Sequence, residues 1–188
     1  MWLGIKNYNP SFCEDTDQLL TNHKESLVRL HGEQILGIWI LWNLTEDDWY
    51  SSTPIVVKTN SIQVEFCANK INEYSITYNS IDIECQVDPA DMGDDEIWYF
   101  EWRQLGEART HIGNSISKVE IIELLFETKV LHDEEHPERV GNEYSNWLLH
   151  GVCLNLDGCN LSFYNAFDTN GILYDREVRS DIQYRGVL

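Results

Sequence analysis

The spacing of hydrophobic and polar residues changes near position 32 of the chain. Before it, four leucines recur at helical intervals among acidic and polar residues, and the cluster at residues 15–17 supplies N-capping side chains. This pattern predicts a short amphipathic helix between about Cys13 and Leu30, ended by Gly32. The leucines are Leu19, Leu20, Leu27 and Leu30.

From Gly32 onward, β-branched and aromatic residues dominate, which favours strands. Two turn-forming pairs, Asn60-Ser61 and Asp157-Gly158, stand where hairpin turns belong. The first predicted strands have the sequences ILGIWILW, IVVKT, IQVEFC, EYSITY and IDIEC.

Two blocks of this pattern occur twice. The stretch GEQILGIWIL, from Gly32, matches GNSISKVEII, from Gly113, at an offset of 81 positions. The segment at residues 55–66 then matches residues 152–163 at an offset of 97. The second copy therefore carries 16 additional residues, the difference between the two offsets, in the polar region around residues 127–146. Insertions of this kind belong in surface loops.

The repeat predicts the architecture. We expect one mainly β domain over residues 1–188, with a short N-terminal helix and two antiparallel β-meander units at about 28–85 and 100–175. Each unit has an apolar sheet face that it cannot bury alone, so the two faces should pack together as a sandwich or barrel. The acidic stretch at 86–97 connects the units, and its charge density predicts a solvated loop through residues 82–102.

An aromatic run ends this acidic stretch. Strand alternation places Trp98, Phe100 and Trp102 on one face, where they are expected to be core, and Tyr99 on the other. Elsewhere, Trp49 in the sequence EDDWYSS is the best candidate for an exposed aromatic residue.

The composition limits the classes of function. The chain has 13 Lys and Arg against 32 Asp and Glu, a formal net charge of −19, which repels nucleic acid and anionic membranes. A cationic protein is the electrostatic complement, and solubility alone is the alternative explanation. The start of the chain lacks the apolar region of a signal peptide, and the five Cys form no C-x-x-C pair. We therefore expect a cytoplasmic protein with reduced thiols.

Two segments imitate metal sites. HDEEH, at residues 132–136, matches the H-x-x-E-H zinc pattern, but it lacks apolar periodicity and lies in the inserted region. AFDTNGILYDRE, at residues 166–177, imitates an EF-hand loop, but Ala166 stands at the first ligand position. We interpret the first segment as a solvated loop and the second as a turn, and we expect no metal and no cofactor.

Catalytic signals are weak, and two alternatives to a binding protein stay open. The chain has no G-x-S-x-G elbow and no Gly-rich phosphate loop. An uncharacterised enzyme with a pocket of His and carboxylate groups is one alternative, since such a pocket assembles from residues far apart in sequence. A β module that binds a small ligand or a carbohydrate is the other, and the seven Trp offer flat rings for sugar faces.

The run LHGEQILGIWILWNLTEDDWYSSTPIVVKTNSIQVEF and its later echo LLHGVCLNLDGCNLSFYN resemble a class of small acidic bacterial proteins. Some members of this class are immunity proteins that neutralise secreted toxins. The resemblance rests on strand and turn spacing, and it carries over no functional residue. It implies a binding protein that acts on its toxin by occlusion and without catalysis.

Charge density indicates where such a partner would bind. An acidic face with aromatic anchors would steer a basic toxin into place and then hold it. The candidate residues are Asp88, Asp91, Asp94, Asp95 and Glu96 in the connector, with Asp47, Asp48, Trp49, Asp133, Glu134 and Glu135 as further contributors.

Overall fold

The computed structural model describes residues 3–93, 96–128 and 144–187 of the chain. Helix α1 (Thr16–Arg29) begins after Asp15, whose carboxylate accepts the backbone N–H of Gln18 at 2.7 Å. Its buried Leu19 and Leu27 join the main hydrophobic core. The predicted helix is therefore confirmed, and Cys13 lies outside it in a short strand.

The strands of the first half build one sheet and one hairpin. They are β1 (Phe12–Cys13), β2 (Ile35–Asn43), β3 (Asp48–Trp49), β4 (Ile55–Thr59), β5 (Gln63–Asn69), β6 (Glu73–Tyr78), β7 (Ala90–Gly93), β8 (Glu96–Trp98) and β9 (Phe100–Gln104). The sheet has the order β1-β6-β5-β4-β2-β3, and β9 also pairs with β2. Strands β7 and β8 pair with each other.

The strands of the second half build another antiparallel sheet. They are β10 (Ile116–Thr128), β11 (Tyr144–Leu156), β12 (Cys159–Asn165), β13 (Asn170–Leu173) and β14 (Ile182–Gly186). Their order is β13-β12-β11-β10-β14. A short 3-10 helix, Gly106–His111, leads into this sheet much as α1 leads into the first.

Five of the seven described strands of the first sheet have counterparts, in the same order, in the five-stranded second sheet. The order β6-β5-β4-β2-β9 in the first matches β13-β12-β11-β10-β14 in the second. Ile38 pairs with Val57 in the first sheet, and the matching residues Val119 and Leu154 pair in the second. The pairing registers of the β4–β5 and β11–β12 hairpins also match, with turns at the predicted positions. The two predicted pseudo-repeated units are thus present in the fold.

The inner faces of the two sheets pack together. One core cluster contains side chains from both, including Phe66 of β5 and Phe163 of β12. Among the described residues, no strand of one sheet pairs with a strand of the other, and the isolated bridge between Gln34 and Ser115 lies outside the strands. The fold is therefore a sandwich and not a closed barrel.

The repeated glycines explain why the chain contains the same sequence pattern twice. The N–H of Gly32 donates to the carbonyl of Ile116 at 2.8 Å, and the N–H of Gly113 donates to the carbonyl of Ile35 at 2.8 Å. Both glycines have left-handed φ values, +85° and +87°. Because these four positions are equivalent in the two units, the segments bind each other reciprocally, as across a two-fold axis.

The units extend beyond the limits that the sequence predicts. Strand β9 completes the first sheet, although it falls inside the predicted second unit at 100–175. Strand β14 lies beyond residue 175 and takes the matching place in the second sheet. Their sequences, FEWRQ and IQYRG, share too few apolar positions to reveal this correspondence.

The segment IDIEC, at residues 81–85, is a loop and not the predicted strand. Ile81 and Ile83 are buried in a second apolar cluster on the outer face of the first sheet. Glu65 is fully buried on that face and accepts the backbone N–H of Ser80 at 3.0 Å. The alternating apolar residues of this loop therefore cover a sheet face instead of pairing along a sheet edge.

The stretch at residues 82–102 is likewise not the solvated loop that its charge predicts. Val87 is buried in the second cluster, and part of the connector forms the β7–β8 hairpin. The expected alternation is confirmed beyond it, because Phe100 is buried and Trp98 and Trp102 pack against the same cluster. The charged side chains that the structure describes in this stretch are exposed to solvent, and buried apolar residues between them, such as Val87, pack it against the first sheet.

Candidate binding surface

The turn between β2 and β3 carries exposed acidic side chains. Asn43 is buried, and its side-chain oxygen accepts the backbone N–H groups of Thr45 at 2.9 Å and Glu46 at 3.3 Å. These bonds nucleate the turn, and Asp47 closes it with a left-handed φ of +53°. As a result, Glu46, Asp47 and Asp48 are all exposed at the end of the sheet.

Three exposed apolar side chains lie beside this acidic turn. The N–H of Leu44 donates to the carbonyl of Tyr99 at 2.8 Å, and Thr45 Oγ1 donates to the carbonyl of Ile97 at 3.4 Å. Leu44 is 44% exposed, Ile97 49% and Tyr99 51%. We call this set the docking surface; it consists of Leu44, Glu46, Asp47, Asp48, Ile97 and Tyr99.

A packed aromatic group supports the docking surface from below. Tyr50 stacks on Phe100 with ring centroids 5.1 Å apart, and it meets Trp98 edge-on at 5.7 Å. Because Trp98 and Phe100 face inward, the alternate residues Ile97 and Tyr99 face outward on the same backbone. The apolar side chains are therefore presented on a rigid base, which reduces the ordering cost of binding.

Negative charge dominates the surroundings of these apolar residues. Arg103 forms ion pairs with Glu101 and, at 3.8 Å, with Asp47, and it lies over the Trp42 ring. Among the described residues, no cation pairs with Glu46 or Asp48. An incoming basic group would therefore meet carboxylates that have not already been neutralised.

The structure brings together two of the groups of acids that the sequence indicates. Asp47 and Asp48 lie in the turn, and the connector reaches it through the β7–β8 hairpin, where Asp91 pairs with Ile97 and Glu96 pairs with Gly93. Asp88 is exposed just before this hairpin. Asp94, Asp95, Asp133, Glu134 and Glu135 lie outside the described residues.

Trp49 is half-buried and packs against the main core, so the expectation of an exposed aromatic is wrong. It pairs with Trp42 across the β2–β3 hairpin, and both side chains pack against the main core. Sequence analysis missed Leu44 and Ile97 as surface residues, although each is an apolar residue close to acids. Tyr99 had already been placed outward by strand alternation.

The segment that imitates an EF-hand holds the two sheets together. Asn170, at one of its ligand positions, is buried and donates to the carbonyls of Ser51 and Thr53 at 2.9 Å. Its side-chain oxygen accepts the N–H of Ala68 at 2.7 Å. Among the described residues, no group of three or more His, Cys, Asp or Glu side chains is placed to hold a metal ion. The HDEEH segment lies outside those residues.

Comparison of the chain with protein-family models, with curated proteins and with solved structures gives no match. Within the described parts of the chain, no helix is long and apolar enough to cross a membrane. The proposal for the function of this chain therefore rests on the chemistry of the docking surface.

Proposed function

We propose that this chain is a non-catalytic acidic protein that binds a cationic partner protein through the docking surface. The observation that carries the proposal is the exposed set of Leu44, Ile97 and Tyr99 beside unpaired carboxylates. An aromatic anchor within a polar rim is the arrangement found at energetically important centres of protein interfaces. The resemblance to immunity proteins narrows the partner to a toxin, which the chain would cover in the bacterial cytoplasm.

The two kinds of side chain would act at different stages of binding. The formal charge of −19 attracts a basic protein over a distance and raises its association rate, an effect that salt screens. Once the partner has docked, Leu44, Ile97 and Tyr99 lose their contact with water and slow dissociation. The toxin would be inhibited by coverage of its own functional surface, with no chemical step.

The test uses a partner captured from the source cell, purified, and then measured against defined variants by surface plasmon resonance. Tyr99→Ala should weaken binding by about tenfold or more, chiefly through faster dissociation. The double change Glu46→Gln and Asp48→Asn should slow association at low salt and change it little at high salt.

Matched controls separate the docking surface from general effects of charge and exposure. Ile71→Ala removes a similarly exposed apolar side chain from the β5–β6 turn, and Asp157→Asn removes a charge from the β11–β12 turn. Both should leave the dissociation constant within about twofold. Full affinity in the triple variant of Leu44, Ile97 and Tyr99 to Ala would show that the partner binds elsewhere.

A further inference from the structure

The outer faces of the two sheets are covered to different extents. In the first unit, the connection from β6 to β9 covers the sheet with buried apolar residues such as Ile81 and Val87. In the second unit, the equivalent connection from β13 to β14 is only residues 174–181, which we call the strap. The shorter strap leaves a cavity of about 340 Å³ over the second sheet.

The cavity has an apolar and aromatic interior. Leu124, Leu173 and Phe167 contribute its hydrophobic walls, and the ring of Tyr164 lines it beside the imidazole of His150. The His150 and Tyr164 ring centroids are 5.4 Å apart. The volume lies within the range of small-molecule pockets, roughly 300–1,000 Å³.

His150 contributes its imidazole to the cavity wall. The residue is 8% exposed, and its ring nitrogens are not among the enclosed polar atoms that lack a partner. The ring is therefore largely buried, but it is open to the cavity. Burial also lowers the pKa of His150 to about 4, so the imidazole is neutral near pH 7 and adds no positive charge to the cavity.

The strap places a cluster of three charged groups beside the cavity: Glu177 and Arg179 line it, and Asp181 pairs with Arg179 from outside the lining. Arg179 donates from Nε and Nη2 to Asp181 and from Nη1 to Glu177 at 3.1 Å. Three of its five N–H groups are therefore engaged by these two carboxylates, which also balance its positive charge. Two carboxylates against one guanidinium leave a net charge of −1, and Glu177 keeps an oxygen with no partner among the described residues.

The rim of the cavity has an unusual backbone. Phe167 and Asp168 both adopt left-handed conformations, with φ values of +57° and +72°. Such values are rare for a bulky aromatic residue and are concentrated at ligand-contacting segments. They hold the Phe167 side chain outward, 61% exposed, at the cavity entrance.

We propose that this cavity binds a small amphipathic cation, in which an amine or guanidinium is attached to an apolar or aromatic group. The apolar part packs against Leu173 and Phe167, and the cation meets the Tyr164 ring and the free oxygen of Glu177. A ring nitrogen of His150 accepts one N–H of the same group. This inference does not depend on the docking surface, which lies on the other sheet.

The test is an NMR titration of the protein at pH 7 with three compounds of similar size. The cation is 2-phenylethylamine, its uncharged counterpart is 2-phenylethanol, and its anionic counterpart is 3-phenylpropionate. The amine should give saturable shifts at His150 and Tyr164, with a dissociation constant at least about fivefold below those of the other two. Equal binding of all three, or no shift up to about 10 mM amine, overturns the proposal.

Two variants with the same change in charge sharpen this test. Glu177→Gln should weaken amine binding by about fivefold or more, and the strap should stay anchored because Tyr184 binds the backbone carbonyl of Glu177. Asp157→Asn removes a charge outside the cavity and should change binding by less than about twofold. Unchanged binding in Glu177→Gln overturns the proposal.

A fourth probe distinguishes the source of the cation. N-acetyl-arginine methyl amide presents a guanidinium on an aliphatic stem with a blocked backbone, as in a protein chain. If it binds more tightly than 2-phenylethylamine at the same residues, the cavity takes a basic side chain of a protein. Tighter binding of the amine indicates a free small molecule. Either result supports the proposal that the cavity binds a cation attached to an apolar group.

Discussion

Phe66 and Phe163 stack on each other at the centre of the sandwich, with ring centroids 4.8 Å apart and ring planes inclined by 13°. They occupy equivalent positions in the two units and are fully buried. This contact between the sheets thus joins one residue to its own counterpart in the other unit.

Truncation of this pair should be costly. Phe66→Ala leaves a cavity at the contact between the sheets and is expected to lower the free energy of unfolding by about 3–5 kcal/mol. Urea denaturation of Phe66→Leu, Phe163→Leu and the double variant should give a coupling energy of about 0.5–1.5 kcal/mol. Phe167→Leu, at an exposed position, should change stability by less than about 0.5 kcal/mol. Additive effects of the two buried changes would show that the stacking itself contributes little.

Glycine should be required at positions 32 and 113 because of the backbone conformation there, and not because a larger side chain would collide with its neighbours. An added Cβ at Gly32 or Gly113 would meet no atom within 4 Å, so the cost of Gly→Ala arises from the left-handed φ alone. We expect each change to destabilise the fold by about 1–2 kcal/mol in urea denaturation. Gly106→Ala is the control, since that site is equally open and has no left-handed φ. It should be neutral or slightly stabilising, and a cost equal to that at Gly32 would contradict this account.

Burial of His150 should make stability depend on pH. Desolvation lowers its pKa from 6.5 to about 4, while the nearby charges of Glu177, Arg179 and Asp181 have smaller and opposing effects. Between these values the unfolded chain binds the proton more readily than the folded one. The stability associated with the neutral imidazole is therefore lost as the pH falls from about 6.5 towards about 4.

The measurement is the urea midpoint of wild type and His150→Gln across this pH range. Wild type should lose more stability than the variant as the pH is lowered, because only wild type carries the buried imidazole. His31→Gln changes an exposed histidine and should follow wild type. Parallel curves for wild type and His150→Gln would show that His150 does not cause this pH dependence of stability.

Sequence reasoning recovers the elements whose signals are local. Strand β2 and the turn at Asp157-Gly158 follow from periodicity and turn chemistry, and the offset of 81 between the glycines reveals the repeat. It does not recover the places of β9 and β14 in their sheets, because their sequences, FEWRQ and IQYRG, show no common apolar pattern. The loop at Ile81 and Ile83 alternates like a strand, yet its backbone is bound by Glu65, which only the folded arrangement supplies.

The candidate sites likewise include residues that local sequence signals identify and residues that only long-range contacts bring together. Acidic density identifies the turn at Asp47 and Asp48, since a charged turn must be exposed. It does not identify Ile97 and Tyr99 as their neighbours, because that contact depends on β9 reaching β2 across more than fifty residues. The cavity around His150 was missed altogether, as it results from the difference in length between two equivalent connections.

The reciprocal bonds of Gly32 and Gly113 also bear on how chains associate. An interface is called isologous when equivalent residues of its two halves contact each other. The interface between the two units is of this kind, as in a two-fold symmetric dimer whose subunits are fused into one polypeptide. Such an interface does not distinguish a unit of the same chain from the corresponding unit of a neighbour. Opening of the segment at residues 105–115 would let two chains exchange halves and rebuild every contact between the sheets. We therefore expect domain-swapped dimers to form at high protein concentration.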